Sequence, residues 1–193
     1  MTKFSYKNVI VPVVILCIWW LCTNYGLVSP LFLPKINDVM ASFFAAVANG
    51  SFFVNVASTL GLTLAGLFLA TIIGVPVGLL FGYSHTIYDI FEFAVEFFRA
   101  IPVTALFPLF LLIFGIGNAS KIAMITCGAM ILIIVNTMHG VHNLRKLRLT
   151  ASRLLGLKNT GLFLHVILPE AAPPIITGFR LALSYSLVIA IVT

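Results

Sequence analysis

The stretch Leu64-Ala65-Gly66-Leu67-Phe68-Leu69-Ala70-Thr71-Ile72-Ile73-Gly74-Val75-Pro76-Val77-Gly78-Leu79-Leu80-Phe81-Gly82 holds no charged side chain. Small residues recur in it at every fourth position: Gly66, Ala70, Gly74, Gly78 and Gly82. On a helix this spacing keeps them on one face, a seam of missing side chains along which a second backbone can come close. The uncharged run around the seam is long enough to cross a bilayer, whose apolar core takes roughly 20 residues. Pro76 interrupts the run, and a packed neighbour must then satisfy the carbonyl it frees. The seam reads as a helix-packing face and not as a ligand site.

Working outward, the whole chain shares this character. Of its 193 residues 61% are hydrophobic and 8% charged, whereas soluble domains carry about 25% charged residues. Such a chain has too little charge to cover a water-facing surface. The expected fold is therefore all-α, a polytopic transmembrane helix bundle forming one domain over residues 1–193. Apolar runs with few or no charges place spans at about 9–28, 54–83, 96–115, 121–138 and 171–193. Between the first two, Ile36, Val39, Met40, Phe43, Phe44 and Val47 follow helical spacing. They predict a short amphipathic helix in the outer interface. Pro102 and Pro108 predict a kinked third span.

The net charge of +6 does not indicate nucleic acid, because the basic residues flank spans. Lys3 and Lys7 lead the first, and Arg145, Lys146, Arg148, Arg153 and Lys158 fall in one loop. The positive-inside rule puts both regions in the cytoplasm. Four spans between them agree, leaving a cytoplasmic N-terminus and a cytoplasmic loop over about 139–170. Cys17, Cys22 and Cys127 lie in apolar runs and show no metal-ligand spacing.

Soluble-enzyme motifs are absent: there is no nucleophile elbow, no His-Glu-x-x-His and no phosphate-binding loop. His85, His139, His142 and His165 share no helical face with carboxylates and read as interfacial residues. Glu96 and Arg99, three apart, are placed to pair on a helix; with Asp89 and Glu92 they read as a solvated face. Charges gather near span ends, so no mid-membrane proton relay is legible. Thr104, Asn136, Ser184 and Tyr185 are polar positions on spans, candidates either for lining a pathway or for bonding neighbouring helices. In the basic loop, Leu144, Leu147, Ala151, Leu154 and Leu155 line one helical face, and Arg145, Arg148 and Ser152 another. Gly156 breaks the pattern, and Asn159 or Thr160 caps a second short helix that is expected to end near Pro169. That helix–turn–helix suits a lipid surface or a docking partner.

The loop resembles that of the binding-protein-dependent permeases of ABC importers. Their motif, Glu-Ala-Ala, three residues, Gly, nine residues, Ile-x-Leu-Pro, aligns here with Thr150-Ala151-Ser152, Gly156 and Val166-Ile167-Leu168-Pro169. Gly156, Leu168 and Pro169 match in register. Val166 replaces Ile conservatively, while Thr150 and Ser152 depart from the pattern. Arg99-Ala-Ile-Pro-Val-Thr-Ala-Leu-Phe-Pro-Leu, Phe114-Gly-Ile-Gly, Asn136-Thr-Met-His-Gly, Leu33-Pro34 and Gly178-Phe-Arg180 are similar to the nitrate/sulfonate/taurine branch.

The resemblance implies a type I importer permease-like bundle that pairs with a second permease subunit as a homodimer. A cytoplasmic ABC ATPase dimer would sit beneath it, and an extracytoplasmic solute-binding protein would deliver a small anion such as a sulfonate, taurine or nitrate. The loop residues Thr150, Ala151, Ser152, Gly156, Val166, Leu168 and Pro169 would couple to the ATPase. ATP and Mg would be used by that partner, with no cofactor or metal bound by this chain. The implied location is the bacterial cell membrane. The family's six-helix plan implies one further span beyond the five counted here. A secondary transporter or channel with a lipid-binding basic loop is the competing class.

Overall fold

The computed structural model describes residues 7–143, 152, 154 and 159–193. Its regular structure among these is entirely helical. Two compact units divide the chain, residues 1–57 and 58–193.

In the first unit, α1 (Lys7–Asn24) leads into a turn whose end is fixed by a Trp19 indole N–H donating to the Pro34 carbonyl at 2.9 Å. Its apolar part, Ile10–Asn24, is shorter than the length a crossing helix requires. α2 (Ile36–Ala48) has no buried residue. Its Phe43 packs edge-on against Phe44 and Phe52. After α2 the chain reverses at Gly50, whose φ of 77° a residue with a Cβ rarely adopts. The Asn49 Oδ1 accepts the Ser51 N–H at 2.9 Å and so caps the next helix.

α3 (Ser51–Tyr83) runs for 33 residues, about 50 Å at the helical rise, well beyond an apolar core of about 30 Å. In the second unit, α4 (His85–Ala100) is followed by a 3₁₀ turn, Val103–Leu106, and α5 (Phe107–Phe114). Sequence spacing predicts one kinked span over 96–115; the chain bends there by 73°, between α4 and the Val103–Phe114 segment. The cause is local. Pro102 disfavours the helical region for the residue before it, and Ile101 is extended at φ −77°, ψ 122°.

α6 (Asn118–His142) is the central element: half of its apolar window is buried, against 28% for α3. Leu67 and Ala70 of α3, Ala129 and Ile133 of α6, and Ala182 further on form one core cluster. Val95 of α4 meets Ile134, Val135 and Met138 in a second. Val103 meets Met124, Ile125 and Ile189 in a third. The outward faces carry Phe68, Phe93, Leu112 and Ile176, all strongly exposed, as lipid-facing helices require.

The chain resumes with a helical turn, Asn159–Leu162, a π turn, Phe163–Ile167, and α7 (Leu168–Val192). Here the expectation that a helix ends near Pro169 needs correcting. The helical path runs through it, from Phe163 to Val192. Pro169 sits in the first turn of α7, where a missing N–H is tolerated. The wider π turn lies just before it, at the carbonyls Pro169 cannot bond.

Three described helices, Ser51–Tyr83, Asn118–His142 and Phe163–Val192, are long and apolar enough to cross a membrane, or four if the bent α4–α5 pair is one span. Five were expected, and the fifth candidate, α1, falls short among the described residues.

Candidate functional site

The site is built around α6. On one side lies the small-residue seam of α3, every member of it buried. A Cβ placed on Gly78 would stand 2.6 Å from the Thr137 Cβ and 3.0 Å from the Ile134 carbonyl. One on Gly66 would stand 2.7 Å from the Ile125 Cβ, and one on Gly82 2.5 Å from the Met138 carbonyl. The two backbones are therefore closer than any larger residue allows. The Thr126 hydroxyl uses that proximity, donating to the Gly66 carbonyl at 3.3 Å as well as to Ile122 of its own helix at 2.7 Å.

On the other side, α7 approaches α6 by the same device with the roles reversed. Gly140 of α6 lies against the Pro174 ring. Gly178 of α7 lies against Asn136, whose Cβ would be 2.8 Å from a Cβ built there. The Asn136 amide donates to the Leu132 carbonyl at 2.8 Å.

Between these helices and the end of α4 opens a cavity of about 540 Å³. Asn136 and His139 of α6, Asn143 just after its end and Arg99 of α4 form its polar part, and Leu132, Val135 and Leu181 its apolar part. The Arg99 guanidinium is bonded to the Glu96 carboxylate at 2.6 Å, one turn back on α4. The other oxygen of Glu96 stands 3.9 Å from His139 Nε2, too far for a hydrogen bond. That nitrogen is buried and has no hydrogen-bond partner.

A second polar cluster lies where α4 begins and α6 ends. The Tyr88 ring stacks on His142 with centroids 3.6 Å apart, and His85 meets His142 edge-on at 4.7 Å. The Tyr88 hydroxyl donates to Glu92 at 2.7 Å. Sequence reasoning treats these histidines as unrelated to the carboxylates. The packing of α4 on α6 brings them together, a tertiary contact that no local spacing reveals. No group of three or more metal-ligating side chains is assembled for an ion among the described residues.

The four candidate pathway residues do not converge. Asn136 lines the cavity. Thr104 lies on the 3₁₀ turn. The exposed Ser184 donates to the Arg180 carbonyl at 3.3 Å. The Tyr185 ring fills the space beside Gly128. Of the coupling-loop residues, Thr150, Ala151 and Gly156 lie outside the described residues, and Ser152 is half-buried in a helical position. Val166 lies on the π turn, packed on the cluster of Val141, Leu162, Ile167 and Ala171 that ties this segment to the end of α6. Leu168 and Pro169 open α7.

An all-helical, lipid-exposed bundle pinned by glycine seams and holding a polar cavity at helix ends defines a multi-pass membrane protein. Residues 70–193 match the family described as the binding-protein-dependent transport system inner membrane component, and the chain belongs to that family. It is 33% identical over 175 residues to the taurine transport system permease protein TauC of Escherichia coli (strain K12), covering 88% of this chain and 64% of TauC. It is 31% identical over 134 residues to the nitrate import permease protein NrtB of Leptolyngbya laminosa, covering 69% of this chain and 48% of NrtB. Among solved structures it is similar to the MetNI methionine ABC transporter in inward-facing conformations. The TM-score there is 0.59 at 26% identity, over 69% of this chain and 68% of that one.

Proposed function

We propose that this chain is the transmembrane permease subunit of a bacterial ABC importer, forming the path of a small anionic solute and coupling it to a cytoplasmic ATPase. The observation that carries this is the family match over residues 70–193, which takes in the α3–α6 seam from Ala70 onward, the cavity and the basic loop together. The taurine and nitrate relatives support a small anion, a sulfonate, taurine or nitrate. So does a cavity whose polar side chains include one arginine and two asparagines.

On this proposal two permease subunits pair, two ATPase subunits bind beneath them, and an extracytoplasmic binding protein delivers the solute. The chain itself hydrolyses nothing. ATP and Mg belong to the partner. The basic loop faces the cytoplasm, as does the N-terminus, and its first helix seats in a groove of the ATPase with Gly156 making the turn. Closure of the ATPases moves the loop, and the π turn and α7 carry the motion to the cavity.

The test is Gly156→Ile, with solute uptake and co-purification of the ATPase as readouts. Loss of coupled uptake is expected, with or without loss of assembly. Normal assembly together with normal uptake overturns the coupling role.

A further inference from the structure

The cavity bounded by α4, α6 and α7 has a division of character along its length. Leu132 and Asn136 are one turn apart on α6, and His139 and Asn143 continue the same face. The face therefore passes from apolar at Leu132 to polar at Asn143. Among the described residues Arg99 is the one positive charge in the wall. It does not stand free: Glu96 holds it at 2.6 Å, from a position outside the cavity wall. A guanidinium presents five N–H donors and one carboxylate engages at most two of them, so donors remain for a second anion. Opposite the pair, His139 Nε2 is buried and has no hydrogen-bond partner, with Glu96 Oε1 3.9 Å away. The apolar part, Leu132, Val135 and Leu181, offers no partner for charge and suits a short hydrocarbon.

From this juxtaposition we infer that the cavity is a binding site for a small organic oxyanion. Arg99 anchors the acidic head, Asn136 and Asn143 supply donors beside it, and Glu96 is an internal competitor that sets the affinity. The inference rests on the permease role proposed above. The head group binds Arg99 on the face Glu96 leaves open, or takes over the donors Glu96 holds. In the second case Glu96 turns towards His139, which in its Nε2–H tautomer has an unused donor for it. A solute on a transport path must leave as readily as it arrives, and a carboxylate that shares its anchor keeps the complex weak. Glu96 and Arg99 are thus specificity-determining residues, one by attraction and one by competition.

The experiment uses the permease in lipid nanodiscs, with ethanesulfonate as probe and ligand-observed NMR as readout. Glu96→Gln keeps the size of the side chain and removes its charge. It is expected to tighten ethanesulfonate binding by about two- to fivefold, the range that an exposed ion pair withholds. A gain in affinity cannot come from misfolding, so this variant guards the interpretation. Arg99→Gln is expected to weaken binding about tenfold or more, as loss of a charge-assisted bond does, and Arg99→Lys to recover part of it. Propanol, with a hydrocarbon tail of similar size but no charge, is expected to bind equally weakly to wild type and Arg99→Gln. Absence of ethanesulfonate binding to wild type, or equal affinity in wild type, Glu96→Gln and Arg99→Gln, overturns the site. Uptake by the wild-type importer, measured in parallel with ATPase and binding protein, separates the two levels. Uptake without any response of binding to these variants sinks the site alone, while absence of ATP-dependent uptake sinks the permease role.

Discussion

The seam between α3 and α6 makes a quantitative prediction through Gly78→Ala. The added Cβ would sit 2.6 Å from the Thr137 Cβ and 3.0 Å from the Ile134 carbonyl. Neither neighbour can swing away, since one is a first side-chain atom and the other is backbone. Ordinary contact starts near 3.4 Å, so the helices must part by about 0.8 Å at this level, and dispersion contacts weaken steeply over such a gap. Overpacking of this kind costs roughly 1–3 kcal/mol. Alanine's better helix propensity offsets part of that, by about 1 kcal/mol at most.

Gly61 supplies the control. It is on the same helix but has nothing within 4 Å of a built Cβ, so Gly61→Ala is expected to gain roughly 0.5–1 kcal/mol. Gly74→Ala should fall between the two, because its nearest neighbour, Ile133, is 3.1 Å away. The measurement is the midpoint of thermal unfolding in one detergent for all three variants. Gly61→Ala and Gly78→Ala are expected to differ by roughly 2–12 °C on the scale of a chain this size. If Gly78→Ala unfolds at or above the temperature of Gly61→Ala, the close approach of α3 and α6 is wrong.

Three further outcomes follow from single contacts. Tyr88→Phe keeps the stack on His142 but removes the 2.7 Å bond to Glu92. It is expected to lower stability by about 1.5–3 kcal/mol, the range for a bond to a charged group, read as a fall in the same unfolding midpoint. Pro102→Ala removes the restriction on Ile101, so the 73° bend between α4 and the following segment should open. The check is a distance distribution between spin labels on exposed positions 93 and 112, which should lengthen relative to wild type. Trp19→Phe removes the bond to the Pro34 carbonyl. Limited proteolysis should then cut the 25–35 segment faster while leaving fragments of the second unit unchanged.

How much of this is legible in the sequence depends on whether the deciding interaction is local. The all-helical membrane class follows from a charge content of 8%, because a bilayer admits few structures that satisfy every backbone group. The family follows from motif spacing around Gly156 and from the ordered matches on both sides of it. The bend at Ile101 is half legible. A proline pair predicts a kink, but the angle depends on what α5 packs against, namely Met124, Ile125 and Ile189 through Val103 and Phe107.

The polar features lie beyond sequence reasoning for a different reason. Tyr88 and His142 are 54 positions apart, and Arg99 and Asn143 are 44 apart. Only the docking of α4 on α6 gives them a common surrounding. A usable signal was present, since His139 and His142 stand one turn apart on α6 and Glu92 and Glu96 one turn apart on α4. Two such pairs on helices that must be neighbours would have marked the contact. The same limit explains Pro169. A proline after a short polar stretch reads locally as a stop, yet the helix carries on because Ile167 and Ala171 are held against Val141.

α6 is therefore shared by structure and by the proposed path, on opposite faces. Its α3 face is closed by glycines and tolerates no added atom. Its α7 face is closed along its length, by Gly140 against Pro174, Gly178 against Asn136 and Gly128 against Tyr185 and Ile189, and the cavity lies beside the first two of these contacts. Pro174 is seven residues, about 10 Å along the helix, from Ile167 at the end of the π turn. On the permease proposal, a displacement of the basic loop enters α7 at that turn and reaches the cavity wall within two helical turns.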